Sequence, residues 1–409
     1  MMNKTKLKAY AKLIARRGLN VSKNQDVIIQ TEVEQLDFLN MVTIELYKAG
    51  ARKVFVDFYH LPLAKIHNKY RDKDEMAKIE DFELEKIKWR SKNLPCILFL
   101  DSEDPDGLVG INQEKEMYAS SKRYPIIKPF IDEMENKYQW CIASVPGEKW
   151  AKKVFPNLTK KKAVERLWEE ILKCSRAYDN DPIKNWDMHN LDLKNRYEYL
   201  NSLKLKELIY ESSNGTNLKV GLIEDALFLG GAEKSLKDKV FNPNIPSEEI
   251  FTSPKKGECE GIVYSTKPLS YRGEVIEDFS ISFKDGKVVS VKAKKNEELL
   301  KKMVNEDEGA SYLGECALVP FDSPINNSGL LFYNTLFDEN ACCHLALGHG
   351  FTNVIKDYEK YSLEELRNKG VNDSMIHVDF MIGSSDLSIK GVDENGNIHQ
   401  IFINGNWAF

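Results

Sequence analysis

No stretch of this 409-residue chain approaches the roughly 18 consecutive apolar residues that a membrane-spanning helix needs, so no membrane partner is expected. The opening Met1-Met2-Asn3-Lys4-Thr5-Lys6-Leu7-Lys8 is basic, yet it runs into an amphipathic pattern and not into the apolar core of a signal peptide. A cytoplasmic location is the expectation. The cysteines, Cys96, Cys141, Cys174, Cys259, Cys316, Cys342 and Cys343, include no C-x-x-C pair, which removes support for a thiolate zinc site or a thioredoxin-type redox motif. Scattered and odd in number, they read as free thiols in a reducing compartment, with Cys342 and Cys343 buried on a helix. Basic excess is missing too: a formal net charge of -5 and a pI near 5.9 argue against nucleic acid as the main partner. Neither G-x-G-x-x-G nor G-x-x-x-x-G-K-[ST] occurs, so a bound nucleotide has no support. Internal repeats and low-complexity segments are absent.

What is present is an ordinary globular composition on a chain long enough for two domains. Residues 4–18 set Leu7, Tyr10, Ala11, Leu13, Ile14 and Ala15 at helical spacing, with Gly18 as the stop. An apolar run at 26–31, a helical pattern at 38–47 closed by Gly50, and a second strand at 54–58 make a βαβ unit, hence a parallel sheet. Residues 70–92 read as charged helix, 96–100 and 140–145 as further strands, and 160–176 as an amphipathic helix. Residues 182–193 read as a crossing and 193–203 as a helix leading out. The acidic turn Asp101-Ser102-Glu103-Asp104-Pro105-Asp106-Gly107 follows a strand, where α/β sheets often bind ligands, but ordinary loop chemistry accounts for it. His60, His67 and His189 stand alone and read as surface or capping residues.

From about residue 206 the texture changes to strands at 218–222, 261–265, 276–283, 288–293 and 398–403, with a turn at Lys284-Asp285-Gly286-Lys287 and one helix at 297–305. The expected fold is therefore α/β plus α+β. An α/β domain with a parallel sheet spans 1–205, and a β-rich, metal-bearing catalytic domain with mostly antiparallel pairing spans 206–409.

The chemistry concentrates in this second half. Ile376-His377-Val378-Asp379-Phe380-Met381-Ile382-Gly383 reads as a strand that presents His377 and Asp379 side by side on one face. Leu313-Gly314-Glu315-Cys316-Ala317-Leu318-Val319-Pro320 sets one glutamate in an apolar run, where an ionised carboxylate needs a cation or basic group nearby. Glu339 and His344 stand five residues apart, and Glu248-Glu249 precede another apolar pair. Three glutamates, one aspartate and two histidines are an oxygen-and-imidazole donor set, suited to two divalent ions such as Zn²⁺, Co²⁺ or Mn²⁺, with Mg²⁺ a further option. That points to a metal hydrolase. The spacing does not choose between Glu248 and Glu249. A phosphoesterase would want more basic neighbours than these segments offer.

The blocks 244–252 (NIPSEEIFT), 265–269 (STKPL), 313–320 (LGECALVP), 338–348 (DENACCHLALG) and 377–383 (HVDFMIG) resemble the M29 metallopeptidases, the aminopeptidase T/aminopeptidase S family. The front half is similar as well, at 10–14 (YAKLI) and 47–51 (YKAGA). The resemblance implies a cytoplasmic, homodimeric, dimetal aminopeptidase acting on peptides with a free N-terminus. It implies the ligands Glu249, Glu315, Glu339, His344, His377 and Asp379, and leaves Glu248 as a surface carboxylate, the preferred reading, or a proton acceptor. One departure is Phe351, where the family usually has a tyrosine; its missing hydroxyl could steady the tetrahedral intermediate. His349 either substitutes for it, beside Glu315 as a catalytic group, or is a turn residue between glycines, with activity reduced or altered. A catalytically weakened metal-binding scaffold is then the alternative. Lys267 stands at an arginine-like position and keeps the charge without the fork.

Overall fold

Strands Asp26–Glu32, Lys53–Tyr59, Cys96–Asp101 and Trp140–Ser144 form a parallel sheet that Asn244–Ile245 extends at one edge. The computed structural model describes residues 3–102, 104–179 and 181–409. Val27, Ile28 and Ile29 lie in a strand covered on both sides and are all buried, as an apolar run without alternation requires. Helix Leu36–Ala49 ends where Gly50 turns to φ +119 and its N–H bonds the carbonyls of Leu46 and Tyr47. The edge strand Lys53–Tyr59 exposes Phe55 and Phe58.

Several expectations change here. The stretch 70–92 is two helices, Lys73–Ala77 and Asp81–Asn93, because a capping box between Glu80 and Glu83 starts a new one. Gln113–Met134 is a helix that no periodicity announced, with Pro125 and Pro129 inside it. Pro182–Ser202 is one continuous helix and not a crossing followed by a helix. In the acidic turn, Asp104 and Asp106 pair with Lys149 and Lys153 at 3.1 and 2.9 Å; Glu103 lies outside the described residues.

Two compact units divide the chain: Met1–Met188 with Ala232–Pro246, and His189–Gly231 with Ser247–Phe409. A boundary after residue 205 remains our proposal for where the two folds part along the sequence. In space, Asn244–Ile245 belongs with the first unit because it pairs with Trp140–Ser144. The second unit holds a nine-stranded antiparallel sheet, in which Glu274–Lys284 and Lys287–Lys295 join through Asp285 at φ +52 and Gly286 at φ +76. Positive φ at both central residues matches the strand twist, so the hairpin closes in two residues. A separate five-stranded antiparallel sheet runs in the order His377–Met381, His344–Gly348, Leu313–Leu318, Ile250–Thr252, Leu229–Gly230.

Candidate metal centre

Strand alternation sorts this sheet into two chemistries. Along His377–Met381, the side chains of His377, Asp379 and Met381 share one face, while Val378 and Phe380 join the hydrophobic core on the other. Next to it, Leu345 and Leu347 go to the core, and His344, Ala346 and Gly348 take the polar face. In the third strand Cys316 and Leu318 are core residues and Glu315 stands opposite them. Register completes the pattern: Ala346 pairs with Glu315 on one side and with Asp379 on the other. The Ala346 side chain is only a methyl group, which leaves room on this face for the two carboxylates that flank it.

His377 Nε2 lies 3.1 Å from Glu315 Oε2 and 3.2 Å from Asp379 Oδ1, and His344 Nε2 lies 3.4 Å from Glu249 Oε2. Two donor groups result, Glu249–Glu315–His344 and Glu315–His377–Asp379, each with its atoms within 4.8 Å of one another. Glu315 belongs to both. Glu339, on the turn Glu339–Ala341, lies within electrostatic reach of Asp379, Glu249 and Glu315.

Charge is crowded here. Burial, then Asp379, Glu249 and Glu315, push the Glu339 carboxyl well above its ordinary range. Burial would raise Asp379, but His377, together with His344 and Glu315, holds that carboxyl below its usual range. Burial would lower His377, yet Asp379 and Glu315 raise it well above its usual value. A buried cluster of four carboxylates with two imidazoles is costly without cations.

The surrounding residues orient the donors. His377 Nδ1 lies 2.7 Å from the His349 carbonyl, which can only accept, so Nδ1 carries the proton and Nε2 faces the carboxylates. The imidazole of His349 itself turns to Asp373 Oδ1 at 3.4 Å. The Phe351 ring packs 5.0 Å from the His377 ring and 5.2 Å from Phe251, so the departure noted in the sequence borders the donors. Lys267 Nζ donates to Asn326 Oδ1 at 3.2 Å.

Two sequence readings are overturned. Glu248 is not a surface carboxylate: it is 5% exposed, and its N–H donates to Asn340 Oδ1 at 2.7 Å. His189 is not a surface or capping residue: it is buried, with Nε2 2.7 Å from the Ser247 carbonyl and 4.0 Å from Glu248 Oε1. Asn340, unremarked in the sequence, also donates to the Leu336 carbonyl and to Glu339 Oε1, at 2.9 and 3.3 Å. The available signal was its place beside Glu339.

These residues fit divalent ions by their own chemistry. His344 Nδ1 is buried with no hydrogen-bond partner among the described residues, and the donors are all oxygen or imidazole nitrogen.

Known proteins agree with this chemistry. Aminopeptidase AmpS of Bacillus subtilis (strain 168) is 38% identical over 414 residues, covering 99% of this chain and 98% of its own. Aminopeptidase T of Thermus thermophilus is 35% identical over 406 residues, 99% of each chain. The solved structure of wild-type AmpT from Thermus thermophilus aligns with a TM-score of 0.89 at 34% identity, over 99% of this chain and 100% of that one. The family model described as thermophilic metalloprotease (M29) matches residues 3–407, so this chain belongs to the M29 metallopeptidase family.

Proposed function

We propose that the protein is a dimetal aminopeptidase that removes the first residue from peptides with a free N-terminus. The observation that carries the reading is Glu315, a carboxylate shared by two donor groups on one sheet face. Family membership supports metal dependence, and the curated relatives are aminopeptidases. In this reading Glu249, Glu315, Glu339, His344, His377 and Asp379 hold two divalent ions, Zn²⁺, Co²⁺ or Mn²⁺, with Mg²⁺ as a further option. The chemistry such ions supply is Lewis acidity, which makes water nucleophilic at neutral pH and offsets charge on the carbonyl oxygen.

The chain's own residues do the rest. The His349 carbonyl keeps the proton of His377 on Nδ1, so Nε2 is presented to the donor cluster. Glu315 is our candidate for carrying the proton to the leaving nitrogen. The His349 imidazole is our candidate to replace the hydroxyl that Phe351 lacks. Phe351, backed by Phe251, packs against one flank of His377 and shields it from water there.

We further propose a homodimer in the cytoplasm. Ile44, Phe55, Phe58 and Tyr70, exposed within one stretch of the first unit, are apolar surface that a second copy would cover. The seven cysteines are buried thiols, in keeping with a reducing compartment.

The test is hydrolysis of aminoacyl-amides and dipeptides by protein stripped with chelator and reloaded with each metal, with His377→Ala as the blank. Metal-restored release of first residues, abolished by N-acetylating the substrate, is the expected result. Phe351 favours one rival, a metal-binding scaffold with weakened catalysis. Two ions bound with no turnover under any metal would establish that rival.

A further inference from the structure

We propose that a pocket beside Asp379 receives the side chain of the substrate's first residue, admits apolar side chains, rejects acidic ones, and is limited in size by Met381. This inference rests on the aminopeptidase reading above. Met381 is the next residue after Asp379 on the ligand-bearing face of its strand, roughly 7 Å further along. A peptide whose first carbonyl lies over Asp379 and Glu315 carries its first side chain on the adjoining Cα, within reach of that position.

The pocket is lined by Leu269, Val275, Leu331 and Met381, with Ser270 and Tyr333 among its polar groups. Its cavity volume of about 20 Å³ is close to what one water occupies. Size is therefore set by which wall can move. One wall is strapped: Asp338 accepts the N–H of Phe332 at 2.8 Å through Oδ1 and that of Asn334 at 3.1 Å through Oδ2. Between these two bonds Tyr333 is held at φ +54. The strand end is tied as well, since Thr266 N–H donates to the Met381 carbonyl at 2.9 Å. The Met381 side chain, unbranched and polarisable, is the adjustable element.

Charge sets the second preference. The charged side chains lining this pocket, Asp338 and Asp379, are both carboxylates. Lys267, the nearby cation that Asp338 feels, is not part of the lining and donates to Asn326 Oδ1. With Asp379 engaged as a metal ligand, an acidic first residue would meet the Asp338 carboxylate in a desolvated wall, whereas a leucine or methionine side chain meets Leu269, Val275 and Leu331.

The experiment compares kcat/KM of the Zn²⁺-loaded protein on Ala, Leu, Phe and Glu p-nitroanilides, for wild type, Met381→Ala and Leu331→Trp. Wild type should favour Ala and Leu over Phe by about tenfold, and Leu over Glu by about 100-fold. Met381→Ala should raise the Phe-to-Leu ratio about tenfold. Leu331 is only half-buried, so a larger side chain there threatens the fold less; Leu331→Trp should lower Leu relative to Ala. An active wild type whose ratios stay within twofold in both variants overturns the pocket and leaves the aminopeptidase reading intact. A wild type silent on all four substrates overturns that reading and the pocket together.

Discussion

The backbone carbonyl of His349 accepts the Nδ1 proton of His377 at 2.7 Å across 28 residues of sequence, which fixes the ring that meets Glu315 and Asp379. Second-tier contacts of this kind hold a ligand's tautomer and orientation, and their loss typically costs 10- to 100-fold in metal affinity. Backbone geometry near His349 should therefore matter as much as side chains.

Gly348 tests that directly. It sits at φ +104, and a methyl group added there would lie 2.1 Å from the Ile376 carbonyl oxygen. Gly348→Ala should destabilise the fold by roughly 1–3 kcal/mol. It should also weaken metal binding by displacing the neighbouring His349 carbonyl. Urea midpoints and a metal titration followed by calorimetry read the two effects separately.

Asn340 links the backbone of Glu248 to the carboxylate of Glu339. Asn340→Ala leaves the buried Glu248 N–H without that acceptor, at a cost of about 1–3 kcal/mol. Metal affinity should fall by about 10- to 100-fold. Full affinity in this variant would show that Asn340 serves the fold alone.

Removing metal should cost stability along with activity. The candidate donors lie far apart in sequence, so ions held by them in the folded protein would bind the unfolded chain poorly. At free metal 100 times Kd the gain is about 2.7 kcal/mol. A thermal midpoint that rises with metal concentration in wild type, but not in His377→Ala, is the expected observation.

Phe351→Tyr should raise kcat. The ring borders His377, and one well-placed donor to a developing oxyanion is worth about 100-fold or more in known cases. We expect a gain of roughly tenfold, because the packing against Phe251 was not shaped around a hydroxyl. An unchanged or lower kcat would mean that His349 already fills the role.

A pH dependence is expected away from the metal centre. Asp386 accepts Ser384 Oγ at 2.6 Å, Ser212 Oγ at 3.0 Å and Ser213 N–H at 2.8 Å, and these bonds hold its carboxyl well below the usual range. A depressed carboxyl contributes stability above its unfolded value, about 3.9, and loses it as pH falls further. Asp386→Ala should be less stable than wild type at pH 7 and pH 5, and the gap should narrow below about pH 4. Urea midpoints across that range check the sign.

The parts legible in the sequence were those governed by a strict period or a turn with one solution. His377-Val378-Asp379 alternates, Glu315 interrupts an apolar run, and Asp285-Gly286 closes a hairpin; each stands where those rules put it. Helix Gln113–Met134 was invisible because charges, small residues and two prolines blur its apolar stripe. Leu205–Glu211 was hidden because the adjacent Lys206 and Glu207 interrupt its apolar residues and only two residues separate it from the preceding helix. The burial of His189 and Glu248 had no local signal, since each depends on a partner far away in sequence. Ala346 looked like any small core residue, and only the strand register puts it between Glu315 and Asp379.

That register has a consequence for how such a chain can change. Candidate metal donors and core residues alternate on the same strands, so deleting Val378 would turn the Asp379 carboxylate inward and Phe380 outward. Segments between the strands tolerate changes of length, because they only return the chain to the sheet. Within the strands parity is fixed: odd insertions would exchange binding and core positions at once, and the damage would reach catalysis and folding together.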